Sequence, residues 1–152
     1  MSKRARRWER VVALVLLLLG LALYLLYRPQ TLVLFRLTDA LGASAVIDSW
    51  RAAAASWTLP SVVVFCLPGG LWAASYILVM DSLLCGRQMP AVQLMGVSVI
   101  PLIGIVSEAL QAIHLLPGKA DWVDVVCYGV PLLVYLMINA IRKYGKEKVF
   151  YR

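Results

Sequence analysis

From Val11 to Tyr27 the chain reads VVALVLLLLGLALYLLY, seventeen residues without a charge. At 1.5 Å per residue an α-helix of this length covers about 25 Å, close to a hydrocarbon core of ~30 Å. Snorkelling by Arg10 and Arg28 and an interfacial Trp8 can make up the difference. The rival reading is a secretory signal peptide, because a basic head precedes the run. However, the run is longer than a usual signal core, and the small-residue pattern Ala43-Ser44-Ala45 lies too far on to serve as its cleavage site. An uncleaved first transmembrane helix is expected.

Three more runs repeat the pattern. Ser61 to Met80 is uncharged and is interrupted by Pro68-Gly69-Gly70. The second spanning helix is therefore expected to start near Pro68, with Val62 to Leu67 as a re-entrant or extended lead-in. Asp81 reads as a residue at its cytoplasmic end, followed by a short link from Cys85 to Pro90. Ala91 to Leu110 is the third run, with Pro101 and Gly104 placed to bend it. A turn signal at Leu116-Pro117-Gly118-Lys119-Ala120 leads into the fourth run, Trp122 to Ile141. Apolar residues make up 62% of the chain and charged residues 15%, against about 45–50% and about 25% in a soluble domain. The expectation is an all-α, polytopic membrane protein forming a single domain over residues 1–152. Its four spans fall at about 11–27, 61–84, 91–113 and 122–141, and its loop at 28–60. Within that loop, Ala40 to Trp57 reads either as one or two short interfacial helices or as an irregular segment with Trp anchors.

The net charge of +7 would suggest nucleic acid in a soluble protein. Here Lys3, Arg4, Arg6, Arg7 and Arg10 precede the first run, and Arg142, Lys143, Lys146, Lys148 and Arg152 follow the last. Basic residues bunched beside apolar runs mark the cytoplasmic side. Placing both termini inside puts eleven basic residues there, counting Arg87. It leaves Arg28, Arg36, Arg51 and Lys119 outside. Interleaved aromatics for base stacking are missing from the tails, so no nucleic-acid partner is expected. Cys66, Cys85 and Cys127 are odd in number and lack ligand spacing, which gives neither a disulfide framework nor a metal site. They read as small packing residues, and no cofactor is indicated.

Ionisable residues within a span need a structural or functional reason. The expected topology sends Glu108, Gln111 and His114, at the end of the third span, to the outer side. Asp121, Asp124 and Tyr128, at the start of the fourth, arrive at the same place. The spacings make Glu108 a neighbour of Gln111 and Gln111 of His114, and bring Asp121, Asp124 and Tyr128 within about 60° of one another. An outward-opening pocket of carboxylates, an amide, an imidazole and a phenol is expected, with Arg28, Arg36 and Lys119 able to supply positive charge. Asp121 also has a plainer reading as the N-cap of the fourth helix, with Asp124 near its third position. Glu108 could likewise pair with Lys119 or Arg28.

The stretch SEALQAIHLLPGKADWVDVVCYGVP, Ser107 to Pro131, resembles the VanZ-like family of small bacterial membrane proteins. Glu108-x-x-Gln111, Pro117-Gly118 and Asp121-x-x-Asp124 carry the likeness. It covers these 25 residues strongly and Leu67 to Leu84 weakly, and no motif of it falls in the first 60. Where typical members have an asparagine and a glycine after the second aspartate, this chain has Tyr128 and Gly129, which marks a divergent member. The family is named for a protein conferring resistance to teicoplanin-type glycopeptides. The resemblance implies a multi-pass protein of the bacterial cytoplasmic membrane, with an accessory or resistance role in the cell envelope. Membrane lipid and a cell-wall precursor or glycopeptide are the partners it suggests. Two other readings stay open: a structural subunit among other membrane protein subunits, or an intramembrane enzyme using Glu108 and Asp124 as acid and base.

Overall fold

The computed structural model describes residues 3–84 and 90–150, with side chains described except at 3, 5, 90 and 142–150. The expected link at Cys85 and Arg87, and the side chains of the C-terminal basic residues, lie outside what is described. Among the described residues all regular structure is helical, in seven helices: α1 Lys3–Tyr27, α2 Val33–Ala40, α3 Ser44–Ala54, α4 Ser61–Phe65, α5 Leu67–Leu84, α6 Pro90–Ala112 and α7 Trp122–Phe150. Four of these, α1, α5, α6 and α7, are long and apolar enough to cross a membrane. Helix α1 begins in the basic segment, eight residues before its apolar run, because nothing in Arg4 to Arg10 interrupts it.

The second apolar run divides where the sequence places its proline. Pro68 has no N–H to give to the Val64 carbonyl, so the chain breaks between α4 and α5 at Cys66. The helix resumes with the Gly70 N–H on the Cys66 carbonyl at 3.3 Å. The expected lead-in is thus a single helical turn and a half.

Helix α5 is the centre of the bundle, packed by α1, α6 and α7. It has 39% of its span buried, against 11% for α1 and α6 and none for α7. A helix surrounded by protein needs no polar face, and α5 is apolar nearly all round. In lipid, association gains little from the hydrophobic effect, so helices hold together by close approach and hydrogen bonds. Both operate here. Ala13 and Ala73 are fully buried, and Gly20 lies so close to Trp72 that a Cβ there would sit 2.5 Å from the indole nitrogen. Ser75 donates to the Ala13 carbonyl at 2.8 Å, and Tyr76 donates to the Gly96 carbonyl at 2.7 Å.

The contacts between Ala13 and Ser75 and between Gly20 and Pro68 show that α1 and α5 run antiparallel. Helix α6 is antiparallel to α5 and to α7 by the same test, using the contacts of Gln93 with Asp81 and with Tyr135 and of Gly104 with Tyr128. One end of the bundle, here the loop end, therefore collects the finish of α1 and α6 and the start of α5 and α7. Helices α2 to α4 belong to that end. Arg51 ties them down, donating to the carbonyls of Leu25 (2.6 Å) and Arg28 (3.0 Å) where α1 runs out of helical partners. Its guanidinium also lies over the Phe35 ring, 5.5 Å from the centroid.

The exterior confirms the solvent. Leu14, Leu18, Leu133, Met137 and Ile141 are each more than half exposed along α1 and α7. A patch of that extent far exceeds what water-soluble monomers show. Exposed Trp8 lies near one end of α1, and Tyr27 lines a groove with Trp50 and Trp57 at the other. The nineteen helical steps from Trp8 to Tyr27 span about 28 Å, a match for the ~30 Å hydrocarbon core between two aromatic belts. The chain is a multi-pass membrane protein by these measures.

Candidate functional site

The site at the loop end is built on two helix termini. Asp121 caps α7: its Oδ1 accepts the Val123 N–H at 2.9 Å, while its carbonyl accepts the N–H groups of Asp124 and Val125. Asp124 follows in the first turn and is half-buried. Glu108, one turn before the end of α6, is 9% exposed, and its Oε2 accepts the Asp121 N–H at 2.9 Å. That bond clamps the end of α6 to the start of α7 across a connection of nine residues. Gln111 supports the same connection. Gly118 has φ +134°, a conformation that demands glycine, and the Gln111 amide lies against it, 2.8 Å from where a Cβ would be.

Cys66 joins this group from the break between α4 and α5. Its side chain is 3% exposed, and its Sγ lies 4.0 Å from Asp121 Oδ2. The Cys66 sulfur and one oxygen from each of Asp121 and Asp124 all lie within 4.8 Å of one another. Among the described residues, these are the histidine, cysteine, aspartate and glutamate side chains that come this close in a group of three, with Cys66 buried, Asp124 half-buried and Asp121 exposed. The spacing of the cysteines gives no hint of it, because the ligands stand 55 and 58 residues apart and meet only through packing of α5 on α7.

Tyr128, one turn beyond Asp124, is wedged between helices rather than placed at a lipid-facing belt. Its ring lies against Gly104 on α6, and its hydroxyl against Gly69 on α5. Any side chain at either glycine would overlap it, at 2.7 Å and 2.9 Å respectively.

Of the remaining residues expected at the site, His114, Lys119 and Arg36 stand apart from it, whereas Arg28 borders it without pairing to its acids. His114 is exposed and has φ +59°, where it terminates α6. The Leu115 N–H reaches back to the Leu110 carbonyl (2.9 Å) and the His114 N–H to the Gln111 carbonyl (3.0 Å), the paired bonds of a Schellman ending. Histidine is among the few side chains found in this left-handed region more than rarely. Lys119 and Arg36 are exposed. Arg28 points to the α4 end, where Nη2 donates to the Phe65 carbonyl at 2.9 Å and the guanidinium covers the Phe65 and Tyr24 rings. Among the described residues, no ion pair joins Glu108, Asp121 or Asp124 to a lysine or arginine. Three carboxylates thus converge without a basic partner.

A cleft of about 80 Å³ opens beside them between α6 and α7, lined by Glu108 and Asp121 and otherwise by Ile105, Ala109, Ala112 and Trp122 among its apolar residues. At ~30 Å³ per water, it holds a terminal group of a few atoms.

A second polar cluster lies toward the other end of the bundle, around Asp81, which stands three residues from the end of α5 as expected. Asp81 is a buried end-of-helix residue. It is 4% exposed, about 20 Å along α5 from the loop end. The Tyr135 hydroxyl donates to its Oδ1 at 2.7 Å, Gln93 donates to the same oxygen, and the Gln93 amide also reaches the Tyr135 hydroxyl at 3.3 Å. The triad joins α5, α6 and α7. A carboxylate close to the helix end is drawn inward because its two donors come from the facing helices.

Comparison of the chain with known protein families, with curated proteins and with solved structures finds no match.

Proposed function

We propose that this is a VanZ-like protein of the bacterial cytoplasmic membrane, with both termini inside. On this reading the loop end of the bundle faces outward and recognises a polar group at headgroup level. The ligand class is a cell-wall or glycopeptide group carrying an amine, and the role is that of an envelope accessory or resistance factor. The observation that carries the reading is the convergence of Glu108, Asp121 and Asp124, with no ion pair to a lysine or arginine among the described residues, beside a cleft sized for one terminal group. Such carboxylates accept charge-assisted bonds from an ammonium, each worth about 1.5–3 kcal/mol. The distribution of basic residues supports the orientation. On this reading helices α2 and α3, with exposed Trp50 and Trp57, rest at the outer interface.

The test is binding to purified protein in lipid nanodiscs, with a lipid-linked wall precursor and a teicoplanin-type glycopeptide as probes. One of them is expected to bind, and Glu108→Gln, which keeps an acceptor for the Asp121 N–H, is expected to weaken it at least tenfold. Absence of binding by both probes, or equal binding by the variant, refutes the reading.

A further inference from the structure

We propose that Cys66, Asp121 and Asp124 form a binding site for a divalent transition metal of the zinc class. The inference rests on reading the loop end as a ligand site, and it names an ion that this site takes. Its first support is donor chemistry. One thiol and two carboxylates converge, with their ligand atoms within 4.8 Å of one another. Soft sulfur beside hard oxygen suits zinc and its neighbours rather than magnesium or calcium, which take oxygen alone. Zn–S and Zn–O bonds of about 2.3 and 2.1 Å place tetrahedral ligands about 3.3–3.6 Å apart. Closing the observed set by about 1 Å is a matter of side-chain torsions, and the backbone already brings the three together.

The second support is charge. Glu108, Asp121 and Asp124 meet with no lysine or arginine paired to any of them among the described residues. The start of α7 offers only about half an elementary positive charge. Arg28 lies nearby but is bonded to the Phe65 carbonyl. Even with its charge the sum stays below three carboxylates, of which Glu108 and Asp124 are at least half-buried and Asp121 is exposed; a bound dication supplies the rest. The third support is the placement of Cys66. It sits at the one break in the α4–α5 run, 3% exposed, with its sulfur directed at the acids rather than packed among aliphatic side chains alone. Cys66→Ser keeps the size and removes the soft ligand.

Three protein ligands leave one tetrahedral position open, the pattern of sites that present a metal to an exogenous group.

The experiment uses the full-length protein in nanodiscs, stripped with chelator and titrated with Co²⁺ and then Zn²⁺. One Co²⁺ per chain is expected, with a thiolate-to-cobalt charge-transfer band that Zn²⁺ abolishes by displacement. Cys85→Ser/Cys127→Ser, which leaves Cys66 as the sole thiol, is expected to keep the band. Cys66→Ser is expected to lose it, and Asp124→Asn to weaken metal affinity at least tenfold. Absence of the band in the native protein, or its persistence in Cys66→Ser, overturns the proposal. Thermal unfolding of each variant separates loss of the site from loss of the fold. Metal binding without binding of either envelope probe leaves the metal site standing and refutes the proposed function alone. Probe binding that is unchanged by chelator, together with no cobalt band, does the reverse.

Discussion

Replacing Gly70 by alanine tests how tightly α5 and α7 are held. Pro131 has no N–H for the Cys127 carbonyl, which is left without its helical donor. Gly70 on α5 fills that place: a Cβ built there would lie 2.9 Å from the Cys127 carbonyl oxygen and 3.3 Å from the Cys127 Cβ. Both atoms belong to or sit directly on backbone, so no rotamer change relieves the overlap. The helices must part by about 0.5 Å to restore ordinary contact. A gap of that size forfeits about a quarter of each contact's ~0.15 kcal/mol. Over some ~40 atom pairs in the affected turns this sums to about 1.5 kcal/mol, inside the about 1–3 kcal/mol of overpacked cores.

Gly129, also in α7, supplies the control, because nothing lies within 4 Å of a Cβ there. Gly129→Ala is expected to stabilise by about 0.5–1 kcal/mol through helix propensity alone. The assay is reversible unfolding in mixed micelles, followed by far-ultraviolet circular dichroism. Both substitutions gain the same helix propensity, so the two variants should differ by the overlap alone, about 1.5 kcal/mol, with Gly70→Ala the weaker. Cys66 stands one helical turn from Gly70, so Gly70→Ala should also loosen the Cys66–Asp121–Asp124 set and reduce its metal affinity. If Gly70→Ala equals or exceeds Gly129→Ala in stability, the argument from close approach is wrong.

Two further outcomes are expected. Tyr135→Phe removes one of two donors to buried Asp81 and should lower stability by about 0.6–1.7 kcal/mol, the range measured for interhelical hydrogen bonds in membranes. An unchanged midpoint in the same unfolding assay would show that Asp81 does not rely on that bond. His114→Gly relieves a left-handed side-chain residue at the end of α6 and should stabilise by about 1 kcal/mol while leaving ligand and metal binding intact. A loss of metal or probe binding in that variant would instead place the imidazole in the site.

The spanning helices were legible because each is announced locally: an uncharged run long enough to cross lipid, or a proline that removes one identifiable hydrogen bond. The break before α5 follows from Pro68 alone, and the cap on α7 follows from an aspartate directly before Trp122. The aspartate spacing at the start of α7 likewise fixes that two carboxylates share a face whatever the helix packs against.

What the sequence could not decide is how far each helix is rotated and shifted against its neighbours. That register is set by contacts between residues far apart in the chain. Gly70 lies on the Cys127 carbonyl, Gly69 and Gly104 clasp Tyr128, and Gly20 lies under Trp72. Only in that register does Cys66 turn from a small apolar residue into a neighbour of Asp121, and only there does Asp81 find Tyr135 and Gln93. Arg28 shows the converse: its charge suggested a partner for Glu108, and the fold uses it on the Phe65 carbonyl. Hydrophobic length and local hydrogen bonding are properties of a segment and can be read from it. Convergence of side chains is a property of packing, and it appears only when the helices are laid against one another.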